Sequence, residues 1–212
     1  MSIVNLNVVP NGIEFSFAGN TAISQSPFNS STQRTDRGGL VWQASMTFAN
    51  FRGDDRAELL AFIAEMRSQA NSVRLPVFDN PKRGAYGGTP LVNGAAQTGQ
   101  SISVKGASVG ITNWIRRGDY FSVDVNGEHE LKIATADATS TGGGLVTIAF
   151  QPTLRASPLD NAAIFVEDGV LTKPQGIFFF ADTTNGWNSR PGNPDKITNS
   201  SLKFVEDIFA TQ

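Results

Sequence analysis

His129 is the single histidine of the chain, and it sits between Glu128 and Glu130. An imidazole flanked by carboxylates can bind a metal ion or shuttle a proton near neutral pH. The spacing argues against both uses here. Neighbouring residues on a strand point to opposite faces, so three in a row do not converge. Asn126-Gly127, just before them, is the favoured pair for a two-residue hairpin turn. An exposed strand is therefore the simpler expectation for all three. The chain has no cysteine, which removes thiolate ligands, disulfides and Cys-His catalysis, and leaves His129 as the sole base for any Ser-His pair. Adjacent acids remain at Asp54-Asp55, Glu167-Asp168 and Glu206-Asp207. The first pair suits a helix start, and glycosidase carboxylates must face each other across a cleft, which strand neighbours do not do. Gly142-Gly143-Gly144 lacks the Lys-Ser/Thr and helix of a phosphate loop. Arg116-Arg117 is a small basic pair in a chain of net charge −2, a weak footprint for nucleic acid. Trp114, Tyr120 and Trp187 are candidates for a carbohydrate-binding or docking surface, with core or rim packing as the ordinary alternative. The residues point to no enzyme, no metal and no cofactor.

The elements that position these residues are mostly short strands. The exception lies in residues 40–78. Leu40, Trp42, Ala44, Met46 and Phe48 alternate with Val41, Gln43, Ser45 and Thr47, a period of two that puts one apolar face on a strand. Asp55 and Glu58 have the spacing of a capping box. Leu59, Phe62, Ile63 and Met66 then share one stripe at helical spacing, so a helix is predicted over 54–69. Val73, Leu75 and Val77 alternate with Arg74 and Pro76, and the proline suggests an edge strand or a bulge. A lone helix beside many strands must bury its stripe on a sheet face.

Val4, Leu6 and Val8, the Pro10-Asn11-Gly12 turn, and Ile13, Phe15 and Phe17 read as a hairpin. Residues 20–39 are polar, carry Arg34, Asp36 and Arg37, and in an assembling protein can serve as an ordered arm between subunits. Asp79, Asn80-Pro81 and Gly87-Gly88 mark a first junction, Asp168-Gly169 and Lys173-Pro174 a second. Between them, strands around Ile102, Phe121-Val125, Leu131-Ile133, Val146-Phe150 and Ile164-Val166 recur with turn signals, which suggests a small barrel or sandwich. Gln151-Pro152 stops one of these strands. Ile177-Phe178-Phe179-Phe180 is a continuous apolar run, expected to be buried on both faces or covered by a partner. Thr183 to Asn193 reads as loop, and Leu202 to Phe209 as the last strand.

The final strands cannot build a core alone. Pairing them with the N-terminal block gives a discontinuous domain, 1–85 with 170–212, interrupted by an inserted domain over 86–169. No run approaches the ~20 apolar residues of a bilayer span, and the first residues lack the pattern of a signal peptide.

Several stretches in this order resemble the distal tail proteins of long-tailed bacteriophages. They are Trp42-Gln43-Ala44-Ser45-Met46 through Leu59-Leu60-Ala61-Phe62 to Val73-Arg74-Leu75-Pro76; Pro90-Leu91-Val92-Asn93-Gly94; Ile115-Arg116-Arg117-Gly118-Asp119; Val146-Thr147-Ile148-Ala149-Phe150-Gln151-Pro152; and Leu202-Lys203-Phe204-Val205-Glu206-Asp207. The resemblance implies a mainly β fold: a β-sandwich belt domain with one flanking α-helix, plus a small β-barrel, OB-like or galectin-like, here inserted within the belt. It implies a virion structural protein at the tail tip, made in the host bacterial cytoplasm. Its partners would be further copies in a hexameric ring, the tail tube and tail hub proteins, the tape measure protein and tail fibres. DNA would cross the lumen without specific binding, and no membrane insertion is implied. Phe28, Phe178 and Phe180 are the candidates for subunit interfaces, with ordinary core as the alternative for each. A tail tube or other adaptor subunit, and a carbohydrate-binding module on the barrel, are the competing readings.

Overall fold

Alternation of apolar and polar residues places most strands. The first part of the chain forms β1 (Ile3–Asn5), β2 (Gly12–Ala18), β3 (Thr21–Gln25), β4 (Thr32–Asp36), β5 (Val41–Phe48), β6 (Phe51–Arg52), helix α1 (Gly53–Glu65) and β7 (Ser72–Pro76). The middle forms β8 (Gly88–Val92), β9 (Ser101–Ala107), β10 (Tyr120–Val125), β11 (Glu128–Ala134), β12 (Val146–Gln151) and β13 (Ile164–Val166). The end adds β14 (Gln175–Phe180), β15 (Asn188–Arg190) and β16 (Asn193–Glu206). The computed structural model describes residues 2–19, 21–36, 39–78, 81–167, 173–190 and 193–208. The Asp79-Asn80 and Asp168-Gly169 junction signals, Arg37, Pro191 and Phe209 lie outside the described residues.

The fold is mainly β with one helix. Eight strands from the two ends of the chain make one sheet of order β1-β7-β14-β16-β5-β2, with β6 and β15 pairing the first half of β16. Six strands from the middle make a second sheet of order β13-β10-β11-β12-β9-β8. A bridge between Leu91 and Ala163 brings its two ends together, so this sheet is barrel-like and nearly closed. Gly88 and Gly106 face each other where β8 shifts register; a Cβ on either would press within 2.3 Å of a backbone oxygen, and both have positive φ, so only glycine fits. The Asn126-Gly127 turn has the expected positive φ at both residues, 56° and 85°.

Trp42, Ala44, Met46 and Phe48 all point into the core of the eight-stranded sheet, as their period predicts. Helix α1 lies on this face, with the Phe62 ring 5.9 Å from Phe180 and 6.5 Å from Phe204. The helix starts at Gly53, and Arg52 precedes it in an extended conformation with no side-chain cap, so the Asp55-Glu58 capping box does not form. Asp54 and Asp55 occupy the first turn instead, where a carboxylate meets the positive end of the dipole. The helix ends at Glu65 rather than 69, because Arg67 and Ser68 take positive φ.

Three further expectations change. β1 and β2 do not form a hairpin: β1 pairs parallel with β7, β2 pairs with β5, and the two lie at opposite ends of the strand order. β7 is an inner strand, flanked by β1 and β14. Its Pro76 is tolerated because the pairing with β1 stops at Arg74, leaving no partner that needs the missing N–H. β16 begins at Asn193, and β15 adds a short strand inside the stretch read as loop.

Ile177 and Phe178 point to opposite faces of β14 and both are buried. The rest of that core face is covered by the barrel. Leu131 of β11 joins the core of the eight-stranded sheet, with Tyr120 and Ile133 packed against it. The Trp42 indole N–H donates to the Leu131 carbonyl at 2.8 Å.

Candidate assembly surface and a buried charge seam

Among the described residues, strands β3 and β4 pair only with each other, from Thr21↔Asp36 to Gln25↔Thr32. Thr21, Ile23, Thr32 and Thr35 are β-branched residues that favour this local pairing. The tip is held by its own polar groups: the Ser26 N–H donates to the Ser31 carbonyl at 2.9 Å, the Phe28 N–H to Ser26 Oγ at 3.3 Å, and the Ser31 N–H to Asn29 Oδ1 at 3.1 Å. These bonds present Phe28 outward, 97% exposed, with Ile23 67% exposed behind it. Among the described residues, every hydrogen bond of the hairpin stays within it. An isolated two-stranded hairpin is marginal in water.

The hairpin follows β2, which pairs on one side only. Beside β2 lies a slot of about 150 Å³ lined by Ile13, Phe15, Val77 and Tyr120. Ile13 and Phe15 are half-buried, and Phe15 packs on Trp42 at 6.1 Å and on Phe178 at 6.2 Å. Further along β2, Phe17 remains 41% exposed while its ring lies 4.0 Å from Trp42. The opposite face of the sheet is polar: Glu14, Ser45 and Lys203 stand in register across β2, β5 and β16.

Phe28 keeps its place as an interface candidate. Phe178 and Phe180 do not, because both are fully buried under α1 and the barrel, and a neighbouring subunit cannot reach them. Trp114 is also fully buried, with its indole N–H on the Gly87 carbonyl at 3.0 Å and its ring 5.9 Å from Tyr86. It offers no sugar platform. Tyr120 packs into the junction between barrel and sheet, and Trp187, 43% exposed, precedes β15. The three residues do not form one surface.

His129 is half-buried rather than exposed, because its ring lies 4.5 Å from Phe165 and its Nε2 lies 3.2 Å from the Gln175 amide. Burial, then the Arg74 charge, pushes its pKa down to about 4. Its neighbours diverge from it. Glu128 meets Arg74 at 3.6 Å, while Glu130 turns inward to Lys132. Among the described residues no group of three His, Cys, Asp or Glu side chains is placed to hold a metal ion.

The inward turn of Glu130 leads to a buried charge cluster. Glu130 and the fully buried Lys132 form an ion pair at 2.8 Å inside the end of the barrel. Lys132 Nζ also donates to the Thr153 carbonyl at 3.1 Å and lies 5.9 Å from the Phe150 ring. Glu130 accepts the backbone N–H groups of Arg155 at 3.1 Å and Ala156 at 3.3 Å. The segment after β12 is thereby clamped over the barrel end. Arg155 then reaches out of the barrel to Glu206 at 3.1 Å and to the Leu40 carbonyl, and Glu206 also accepts the Trp42 N–H. Burial lowers the Lys132 pKa, and the Glu130 charge opposes the shift. Through Arg155 and Glu206 the cluster ties barrel to sheet.

The seam was missed because Leu131 and Ile133 look like the buried face of β11 and Lys132 like the wet one. A signal was present. The two-residue Asn126-Gly127 turn fixes Phe121 opposite Lys132 and Val123 opposite Glu130. If the apolar pair faces inward, so do the charges.

No protein-family model and no curated protein matches this chain.

Proposed function

We propose that this chain is a ring-forming virion structural protein, the distal tail subunit that joins tail tube to tail hub in a long-tailed bacteriophage. The observation that carries the reading is the free-standing β3–β4 hairpin with Phe28 97% exposed at its tip. A monomer gains little from holding a large aromatic ring in water on a marginal hairpin; a subunit that passes it to a neighbour gains the burial. The rigid seam between barrel and sheet supports the same reading, since a ring subunit must hold any outward domain at a fixed angle. The charge cluster is filled by its own partners.

Light scattering on the purified chain gives the test. A particle of several copies, visible as a ring by negative-stain microscopy and found once per virion at the tail tip by antibody labelling, is the expected result. Labelling in stacked copies along the tail assigns the chain to the tube instead. A monomer at every concentration and salt refutes ring assembly.

A further inference from the structure

We propose that the outward face of the eight-stranded sheet carries a binding site for a neutral oligosaccharide, centred on Gln43 and Ser45. The site is independent of the ring reading. The face is concave here, with a volume of about 380 Å³ over β2, β5 and β16. Clefts that hold small ligands measure roughly 300–1,000 Å³. Two rows of residues in register line it. Glu14, Ser45 and Lys203 form one, and Ser16, Gln43 and Val205 the other. Phe179 extends the second row, next to Val205. Because Phe178 and Phe180 point into the core, alternation turns Phe179 outward, where it is half-buried.

The open polar groups of this surface select the ligand. Glu14, Ser16, Gln43, Ser45 and Lys203 all line the concavity, and among the described residues none of their side chains forms a hydrogen bond or ion pair. Glu14 and Lys203 stand on β2 and β16 with β5 between them, so their backbones lie ~10 Å apart. Each charge therefore stays open to a ligand placed over Ser45. One carboxylate and one ammonium leave no net charge, which favours neither an anion nor a cation. β5 and β16 are inner strands with a partner on each side, so a peptide strand finds no edge to pair with over Gln43 and Ser45. What remains is two hydroxyls, an amide, one acceptor and one donor. That set matches sugar hydroxyls, each of which both donates and accepts. Val205 and the outward Phe179 offer an apolar flank for the C–H face of a sugar ring.

The test screens the wild-type chain on a microarray of neutral, N-acetylated and anionic oligosaccharides, and titrates each hit as the free oligosaccharide by calorimetry. At least one neutral oligosaccharide is expected to bind. Gln43→Ala and Ser45→Ala should each weaken it by roughly threefold to tenfold, the loss of one hydrogen bond to the ligand. Their melting temperatures should match wild type, because neither side chain has a polar partner within the subunit. A photoreactive derivative of the same oligosaccharide should label β2, β5 or β16 of the wild-type chain, a readout that needs no variant. Four results overturn the proposal: no neutral hit, anionic binding that Lys203→Ala alone removes, binding that both alanine variants retain in full, or labelling confined to the barrel. None of them touches the ring reading, which light scattering decides separately.

Discussion

Replacing Lys132 with methionine isolates the seam. The change keeps an unbranched apolar stem and removes the ammonium, which lies 5.9 Å from the centre of the Phe150 ring. At the observed 2.8 Å, two unit charges attract by about 6 kcal/mol at an effective dielectric of 20. Bringing both ions out of water costs several kcal/mol each, so the net value of the pair is far smaller than the attraction. Removing one partner is a different matter, because the other charge stays buried. Lys132→Met leaves the Glu130 carboxylate with the Arg155 and Ala156 N–H groups, and Glu130→Gln leaves Lys132 with the Thr153 carbonyl. Each single change should cost about 3–5 kcal/mol. The double variant buries no net charge and should cost at least 2 kcal/mol less than the sum of the singles, roughly the coupling expected within one network. The assay is urea unfolding at one fixed protein concentration, followed by tryptophan fluorescence, since Trp114 reports the barrel and Trp42 the sheet. Single variants within about 1 kcal/mol of wild type, or a strictly additive double, would refute a coupled buried pair.

Other outcomes follow from burial. Phe178→Ala should destabilise the subunit by about 3–5 kcal/mol, a cavity cost, and lower its melting temperature by roughly 10 °C, whether or not it assembles. His129 predicts a pH effect of definite sign. Its folded pKa, about 4, lies below its unfolded value, so between these values the unfolded chain binds more protons and stability falls as pH falls through that window. The full shift corresponds to about 3 kcal/mol, and access to water reduces this to roughly half. Unfolding of wild type and His129→Gln compared from pH 7 to pH 4 should converge in slope only above about 6.5; parallel curves throughout would refute the burial of a neutral ring.

Much of the scaffold was legible because simple periods describe it. The alternation over 41–48 and the stripe through Leu59, Phe62 and Met66 each settle a buried face without knowing what covers it. The pairing of chain ends was also legible, since the last strands needed a partner. Partner choice was less so. Val4 and Ile13 lie close in sequence around a turn signal, yet β1 and β2 stand at opposite ends of the strand order, β1 beside β7 and β2 beside β5.

By itself the sequence determined the one helix and the longer apolar strands, the inward faces of β5 and α1, and a chain with one histidine and no cysteine. It also marked residues 20–39 as too polar for the core, which leaves Phe28 outside. The tertiary structure decided which aromatics are reachable. Phe178, Phe180 and Trp114 look no different from Phe28 as residues, but a sheet face buries a side chain only when another layer lies across it. The barrel wall and the helix supply that layer over the first two, and the barrel's own curvature closes over Trp114. The same closure drew Lys132 and Glu130 inside, because register in a hairpin carries charges to whichever face its apolar partners take.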